Sequence, residues 1–158
     1  MNIKIMSEST CDLSPELIAQ YNIGIIPLTV VKDGKQYSDG ISITTDEIFA
    51  HVAAGGDLCS TAAMNISEYS EWFEKYASDY DGILHINLGS GFSSCYQNAC
   101  IAADDFDNVK VVDSQNLSTG QGLVVLKACE LAQHCESLDE LQKQVQDFTE
   151  QVEASFLL

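Results

Sequence analysis

The sequence predicts a three-layer α/β domain with a mainly parallel sheet. Short hydrophobic runs with the length of buried strands alternate with segments of helical periodicity. Strands that alternate with helices favour a parallel sheet joined by right-handed crossovers. The chain has 158 residues, of which 46% are hydrophobic, and this is sufficient for one domain with its own core.

The strands are predicted from apolar runs that are bounded by turn residues. Pro27 interrupts the second run and indicates a bend or an edge position there. Asp33-Gly34 is a strong hairpin signal. The predicted strands cover residues 3–6, 23–31, 35–37, 82–88 and 109–112.

The helix starts are marked by capping residues. Ser14 precedes a proline at the first helical position, and Thr44 and Asn65 each begin a capping box. Between the helices that follow Thr44 and Asn65, residues 58–65 are predicted to be a linker of small residues. The aromatic face of the helix after Asn65 is predicted to be core. The predicted helices run from Pro15 to about Tyr21, from Thr44 to Gly55, from Asn65 onwards, after Gly91, from about Gly120 to His134, and from Ser137 to about Glu153.

A glycine turn after strand 82–88 is the first candidate binding site. Gly89 and Gly91 allow the backbone to approach a ligand closely, and Ser90, Ser93 and Ser94 supply hydroxyl groups. The first turn of the following helix has free N–H groups and a partial positive charge, which together bind anions. We therefore expect the acidic head group of a ligand here. The alternative is that the serines only cap the helix and the glycines only make the turn.

Two further polar loops follow predicted strands. Ser9, Thr10 and Asp12 come after the first strand, and Asp113-Ser114 comes after the last. Because the carboxyl ends of parallel strands meet at one edge, where ligands of open α/β folds bind, these residues are candidates for a ligand wall. Asp12 has the alternative role of shaping its turn.

The charge balance limits the possible ligands. The net charge is −17, and all seven basic residues are lysines. This argues against binding to nucleic acid or to an anionic membrane surface, because both need basic patches. An anion would be held by backbone N–H groups and hydroxyls rather than by a guanidinium group.

Composition also predicts the location of the protein. No apolar run has the length of a membrane helix, and no signal peptide is recognisable, so we expect a cytoplasmic protein. The six cysteines show no Cys-x-x-Cys spacing and are expected to be reduced thiols. Cys129, His134 and Cys135 do not match the spacing of a usual zinc site, and we expect no metal.

Two enzymatic alternatives are open at this point. Gly89 and Gly91 fit the first two glycines of a dinucleotide fingerprint with Asp113 as the ribose ligand, although Ser94 stands at the third glycine. A serine hydrolase would use Ser90 or Ser93 with His85. The Gly-x-Ser-x-Gly elbow is absent, and His85 is predicted to be a core or sheet residue.

Five separated motifs resemble those of the DegV family, in the family's order and over essentially the whole chain. They are Glu8-Ser9-Thr10-Cys11-Asp12-Leu13 for DSTADL, Ile26-Pro27-Leu28-Thr29-Val30 with Tyr37-Ser38-Asp39-Gly40 for VPLxV and YxDG, Thr61-Ala62-Ala63-Met64-Asn65 for TSQPS, Leu88-Gly89-Ser90-Gly91-Phe92-Ser93-Ser94-Cys95-Tyr96-Gln97 for LSSGLSGTYQ, and Val112-Asp113-Ser114 with Ser118-Thr119-Gly120-Gln121-Gly122 for IDSxxxSxGxG.

The resemblance implies a bacterial fatty-acid-binding protein of the FakB type. Such a protein carries a long-chain fatty acid, presents the carboxylate to a separate kinase subunit and holds the acyl phosphate, without catalysing a reaction itself. It needs no cofactor. The head-group ligands of the family align with Thr61 and Ser93. The complete expected head-group set is Thr61, Ser93, Ser90, Ser94, Gly91 and Asn65, with supporting loops that contain Ser9, Thr10, Asp113 and Ser114.

The chain departs from the family pattern in several places. Only the threonine of TSQPS is kept, Glu8 replaces the first aspartate of DSTADL, and Gly89 replaces the first serine of LSSG. The family also has a second domain of similar size, which brings an arginine and a histidine to the ligand. We therefore expect residues 1–158 to be the N-terminal head-group domain of a truncated form. Such a domain would bind lipid weakly and expose an apolar face through which it could self-associate.

Overall fold

A parallel sheet forms the centre of the computed structural model, which describes residues 1–155. In spatial order its four strands are β2 (Gly24–Ile26), β1 (Ile3–Glu8), β6 (Gly82–Asn87) and β7 (Val109–Asp113). Each pair of neighbouring strands runs parallel, as the sequence predicts. The carboxyl ends of β1, β6 and β7 therefore lie at one edge of the sheet.

Helices cover both faces of this sheet, which confirms the predicted α/β class. Successive strand residues point to opposite faces, and Ile5 and Met6 accordingly belong to different hydrophobic clusters. The helices are α1 (Pro15–Gln20), α2 (Thr45–Ala53), α3 (Ile66–Ala77), α4 (Cys95–Ala103), α5 (Ser118–Ala132) and α6 (Leu138–Thr149). The cluster of Met6 includes side chains from α3 and α4, whereas the cluster of Ile5 includes side chains from α5 and α6.

A small antiparallel sheet stands beside the parallel one. It consists of β4 (Lys35–Ser38), β3 (Thr29–Lys32) and β5 (Ser60–Ala62) in that order. The hairpin predicted at Asp33-Gly34 joins β3 to β4 and is confirmed. Pro27 separates β2 from β3, so the predicted single run of residues 23–31 divides between the two sheets.

The prediction of a linker over residues 58–65 is wrong for its central part, which is β5. Val30 of β3 pairs with Thr61, and Val31 pairs with Ser60. The Ser-Thr-Ala sequence of β5 has no alternating hydrophobic pattern, because this strand is held by the backbone ladder rather than by burial of its side chains.

The predicted helix caps are confirmed. Ser14 Oγ accepts a hydrogen bond from the N–H of the third helical residue of α1, and complete capping boxes begin α2 at Thr44 and α3 at Asn65. Ser137 Oγ accepts from Glu140 N and begins α6. Among residues 1–155, no helix combines the length and the hydrophobicity that crossing a membrane requires.

Several predicted boundaries are wrong by one to four residues. Strand β1 continues past residue 6 to Glu8, because Ser7 and Glu8 are buried and hydrogen-bonded although they are polar. Helix α5 begins at Ser118, two residues before the start predicted at about Gly120. Helix α6 ends at Thr149, whose hydroxyl donates back to the carbonyl of Gln146.

Gly122 provides a test of the close packing of α5 on the turn after β1. A Cβ atom at this position would lie 2.7 Å from the backbone oxygen of Cys11. Alanine normally stabilises a helix relative to glycine, but here we expect Gly122→Ala to lower the free energy of unfolding by roughly 1–3 kcal/mol through overpacking. Urea denaturation followed by circular dichroism measures this change.

Gly91→Ala is the matched control, because a Cβ atom there has no neighbour within 4 Å. Its free energy of unfolding should equal that of the parent chain. A Gly122→Ala chain as stable as the parent would show that α5 does not pack as tightly as described.

Candidate functional site

A cavity of about 490 Å³ opens between the carboxyl edge of the parallel sheet and the small antiparallel sheet. The loops after β1 and β6 form one side of it, and β3 with β5 forms another. Its polar lining residues are Thr10, Asp12, Asp39, Thr61 and Ser93. Its other lining residues are Leu28, Val30, Ala62, Ala63, Leu88, Phe92, Cys95 and Leu117.

The lining combines an apolar wall with a few polar groups. This combination suits a ligand that has a hydrocarbon part and a small polar head. Among the described lining residues, none carries a positive charge. Thr61 and Phe92 are exposed, so the cavity is open to solvent on that side.

Four of the residues that the sequence singles out meet at this cavity. Thr61 comes from β5 and Ser93 from the turn after β6, while Thr10 and Asp12 come from the turn after β1. Ser93 Oγ accepts a hydrogen bond from Cys95 N at 3.2 Å, which leaves its hydroxyl proton available to a ligand. Long stretches of sequence separate these three segments, and the two sheets bring them together.

Four members of the predicted head-group set do not line this cavity. Asn65 Oδ1 caps α3 by accepting from Glu68 N at 3.0 Å. Ser90, Gly91 and Ser94 are exposed on the turn before α4. Asn65 therefore acts as a helix cap in this structure, as its capping box predicts.

The glycine turn itself is largely satisfied by internal hydrogen bonds. Ser90 N donates to Asp113 Oδ1 at 3.0 Å, and Phe92 N donates to the carbonyl of Gly89 at 2.9 Å. Asp113 Oδ1 also accepts from Gln115 N, so this carboxylate stands where a phosphate would have to approach. The arrangement disfavours the nucleotide-binding alternative, because two anions would compete for the same N–H groups.

The remaining supporting residues hold the loops in place. Ser9 Oγ accepts from Leu28 N at 3.2 Å and links the turn after β1 to the entry of β3. Ser114 is buried, and its Oγ donates to the carbonyl of Asn116. Gly89 lies so close to this loop that a Cβ atom would be 2.9 Å from Asn116 N.

Behind the cavity wall lies a buried carboxylate that the sequence did not identify as functional. Glu8 is fully buried at the end of β1. Its Oε1 accepts from Tyr69 Oη at 2.7 Å and lies 3.1 Å from His85 Nε2. Its Oε2 accepts from Leu88 N at 2.9 Å and from Gln121 Nε2 at 3.0 Å.

These contacts keep Glu8 ionised inside the protein. Burial by itself raises the pKa of Glu8, but the attraction of His85 and the hydrogen bonds from His85, Tyr69 and the N–H of Leu88 outweigh it. The pKa of Glu8 therefore lies below its ordinary value of 4.5.

His85 is a core residue, as the sequence predicts, and it faces Glu8 rather than a serine. Ser90 is exposed on the turn beyond Leu88, whereas His85 is fully buried in β6. This geometry disfavours the hydrolase alternative with Ser90. His85 is a polar residue within the apolar run of residues 82–88, and such a residue indicates a buried hydrogen-bonding partner. Only the pairing of β1 with β6 identifies Glu8 as that partner.

Comparison with known proteins assigns the chain to a family. A family model described as "Uncharacterised protein, DegV family" matches residues 2–158. The chain belongs to the DegV family. A DegV domain-containing protein of Clostridium perfringens is 30% identical over 155 residues, which is 97% of this chain and 56% of that relative.

Solved DegV structures share the fold of this chain. DegV of Bacillus subtilis, a fatty acid binding protein, matches with a TM-score of 0.87 and 29% identity over 95% of this chain and 54% of that one. A Thermus thermophilus DegV family protein, whose structure concerns fatty acid binding, matches with a TM-score of 0.86 and 29% identity, again over 95% and 54%. This chain thus spans about half the length of these relatives.

The lowered pKa of Glu8 predicts how stability depends on pH. The unfolded chain binds the Glu8 proton more tightly than the folded chain does, so this carboxylate stabilises the fold fully above about pH 4.5. The contribution is lost as the pH falls through the folded-state pKa. At neutral pH, Glu8→Gln should lower the free energy of unfolding by roughly 1.5–3 kcal/mol, the range for hydrogen bonds to charged groups.

Urea denaturation at neutral pH and below about pH 4.5 tests this expectation. The difference between the parent and Glu8→Gln should narrow in acid. The control is Glu74→Gln, at an exposed position of α3. A Glu8→Gln difference that stays constant or grows in acid would contradict the described charge state.

Proposed function

We propose that this DegV family chain is a fatty-acid-binding domain whose cavity holds the head group of a long-chain fatty acid. The observation that carries the proposal is the meeting of Thr61 and Ser93 at one cavity with an apolar wall. The fatty acid binding of the related proteins from B. subtilis and T. thermophilus supports the same ligand.

The ligand would be divided between the two parts of the lining. The hydroxyls of Thr61 and Ser93 donate to the oxygens of the head group, and the acyl chain packs against residues such as Leu28, Val30 and Leu88. Each buried CH2 group contributes roughly 0.8 kcal/mol. Because the cavity is open where Thr61 and Phe92 are exposed, we expect the chain alone to bury only part of the acyl chain and to bind weakly.

The proposed role is binding rather than catalysis. In this proposal the chain is the N-terminal head-group domain of its family, works in the cytoplasm and needs no cofactor. A separate fatty acid kinase subunit would carry out phosphoryl transfer on the bound carboxylate, and the same hydroxyls would hold the acyl phosphate.

Self-association is a further part of the proposal. Several large hydrophobic side chains are exposed, among them Ile41, Phe49, Leu58 and Phe92. Covering them by a second copy would remove apolar surface from water. Sedimentation velocity over a range of concentrations should then show a reversible dimer, and a monomer at every concentration would contradict this part.

Native mass spectrometry with added fatty acid, together with lipid extraction, tests the main proposal. The parent chain should bind one fatty acid. Thr61→Val and Ser93→Ala should each weaken binding by about five- to tenfold, which corresponds to the loss of one hydrogen bond of about 1 kcal/mol.

Thr119→Val and Ser67→Ala are matched controls, because both positions are exposed and outside the lining. They should bind as the parent does. The head-group assignment would be refuted by equal binding of all variants, and the function itself by the absence of saturable binding in the parent.

A further inference from the structure

The two hydroxyl groups of the proposed head-group site are carried by different parts of the fold. Thr61 lies in β5, an edge strand of three residues that pairs with β3 and whose side chains are exposed or half-buried. Ser93 precedes α4, whose buried face belongs to the hydrophobic cluster of Met6. Because β5 is not held in place by burial of its own side chains, another contact has to set the distance between the two hydroxyls.

One hydrogen bond joins these two parts of the fold directly. Asn98 Nδ2, in α4, donates to the carbonyl oxygen of Met64 at 2.8 Å. Met64 stands three residues after Thr61, and Asn98 stands five residues after Ser93. A carbonyl oxygen can only accept, so the side-chain amide must present its N–H group at this contact. The bond therefore fixes the segment that follows one hydroxyl to the helix that follows the other.

A second side-chain bond holds the small sheet at its opposite end. Leu28 N donates to Ser9 Oγ at 3.2 Å where the chain enters β3. Within residues 29–62, which contain the small sheet and α2, only Val30 and Ile43 are buried. This part of the chain is therefore held to the rest of the domain mainly near its two ends, and the bond at the exit is the one that stands next to β5.

We propose that Asn98 is a positioning residue of the head-group site and sets the distance between the hydroxyls of Thr61 and Ser93. It is not among the described residues that line the cavity, so it acts on the ligand only through Met64 and β5. Two donors that are held at one spacing before the ligand arrives lose less conformational freedom on binding. The inference rests on the fatty-acid binding proposed above and adds the residue that preorganises its two donors.

Asn98→Ala removes the side-chain donor, and the helix should tolerate it because alanine is the best helix former. The affinity of the complete 158-residue chain for dodecanoic acid is measured by isothermal titration calorimetry. Because Asn98 acts only through Thr61, its removal cannot cost more affinity than removal of the Thr61 hydroxyl itself. We expect binding about three- to fivefold weaker than in the parent, since the binding-competent arrangement is less populated.

A double-mutant cycle with Thr61→Val distinguishes positioning from a general structural effect. In the Thr61→Val chain there is no hydroxyl left to position, so adding Asn98→Ala should change the affinity by less than about 1.5-fold. A general loss of structure would instead weaken binding by the same factor in both backgrounds.

A second variant and matched controls complete the experiment. Asn98→Asp keeps the size of the side chain, but its ionised carboxylate cannot donate to a carbonyl oxygen. It should weaken binding and show the same lack of additivity with Thr61→Val. Gln97→Ala and Gln97→Glu make the corresponding changes at the exposed neighbouring position of α4 and should bind as the parent does.

The outcomes separate this inference from the proposed function. Equal weakening by Asn98→Ala in both backgrounds, or an Asn98→Ala chain that binds as tightly as the parent, would overturn the positioning role and leave fatty-acid binding intact. A parent chain without saturable binding of dodecanoic acid would refute the proposed function, and the inference that rests on it would fail with it.

Discussion

The structure depends on the burial of one carboxylate. Glu8 is removed from water at the end of a central strand, and an unpaired charge there would be strongly destabilising. Its partners come from α3, β6, the turn after β6 and α5. Each element must therefore stand at a fixed position relative to β1, and a shift of any one would leave a buried polar group unsatisfied.

The same network determines the shape and polarity of the candidate site. Leu88, whose N–H bonds to Glu8, lines the cavity, and Gln121 connects Glu8 to Thr10. The cavity wall is thus continuous with the core of the domain. A head group placed there meets hydroxyl groups whose orientation is set from inside the protein, which is the kind of preorganisation that a binding site needs.

Local chemistry explains why much of the fold could be predicted. Capping boxes at Thr44 and Asn65, the Ser14-Pro15 helix start and the Asp33-Gly34 hairpin act over two to four residues, and all of them are present. The elements that were missed depend on distant partners. β5 exists because β3 lies beside it, and the last two residues of β1 are stabilised by hydrogen bonds to groups far along the chain.

The sequence by itself determined the α/β class, most helix starts, and the family to which five ordered motifs pointed. It also indicated Thr61, Ser93 and Thr10, which the two sheets bring to one cavity. Only the tertiary structure decided that Ser90, Gly91, Ser94 and Asn65 lie outside this cavity, and that Glu8 and Gln121 stand behind its wall. The physical reason is that a motif specifies local backbone geometry, whereas the environment and hydrogen-bond partners of a side chain depend on strand pairing and helix packing across the whole domain.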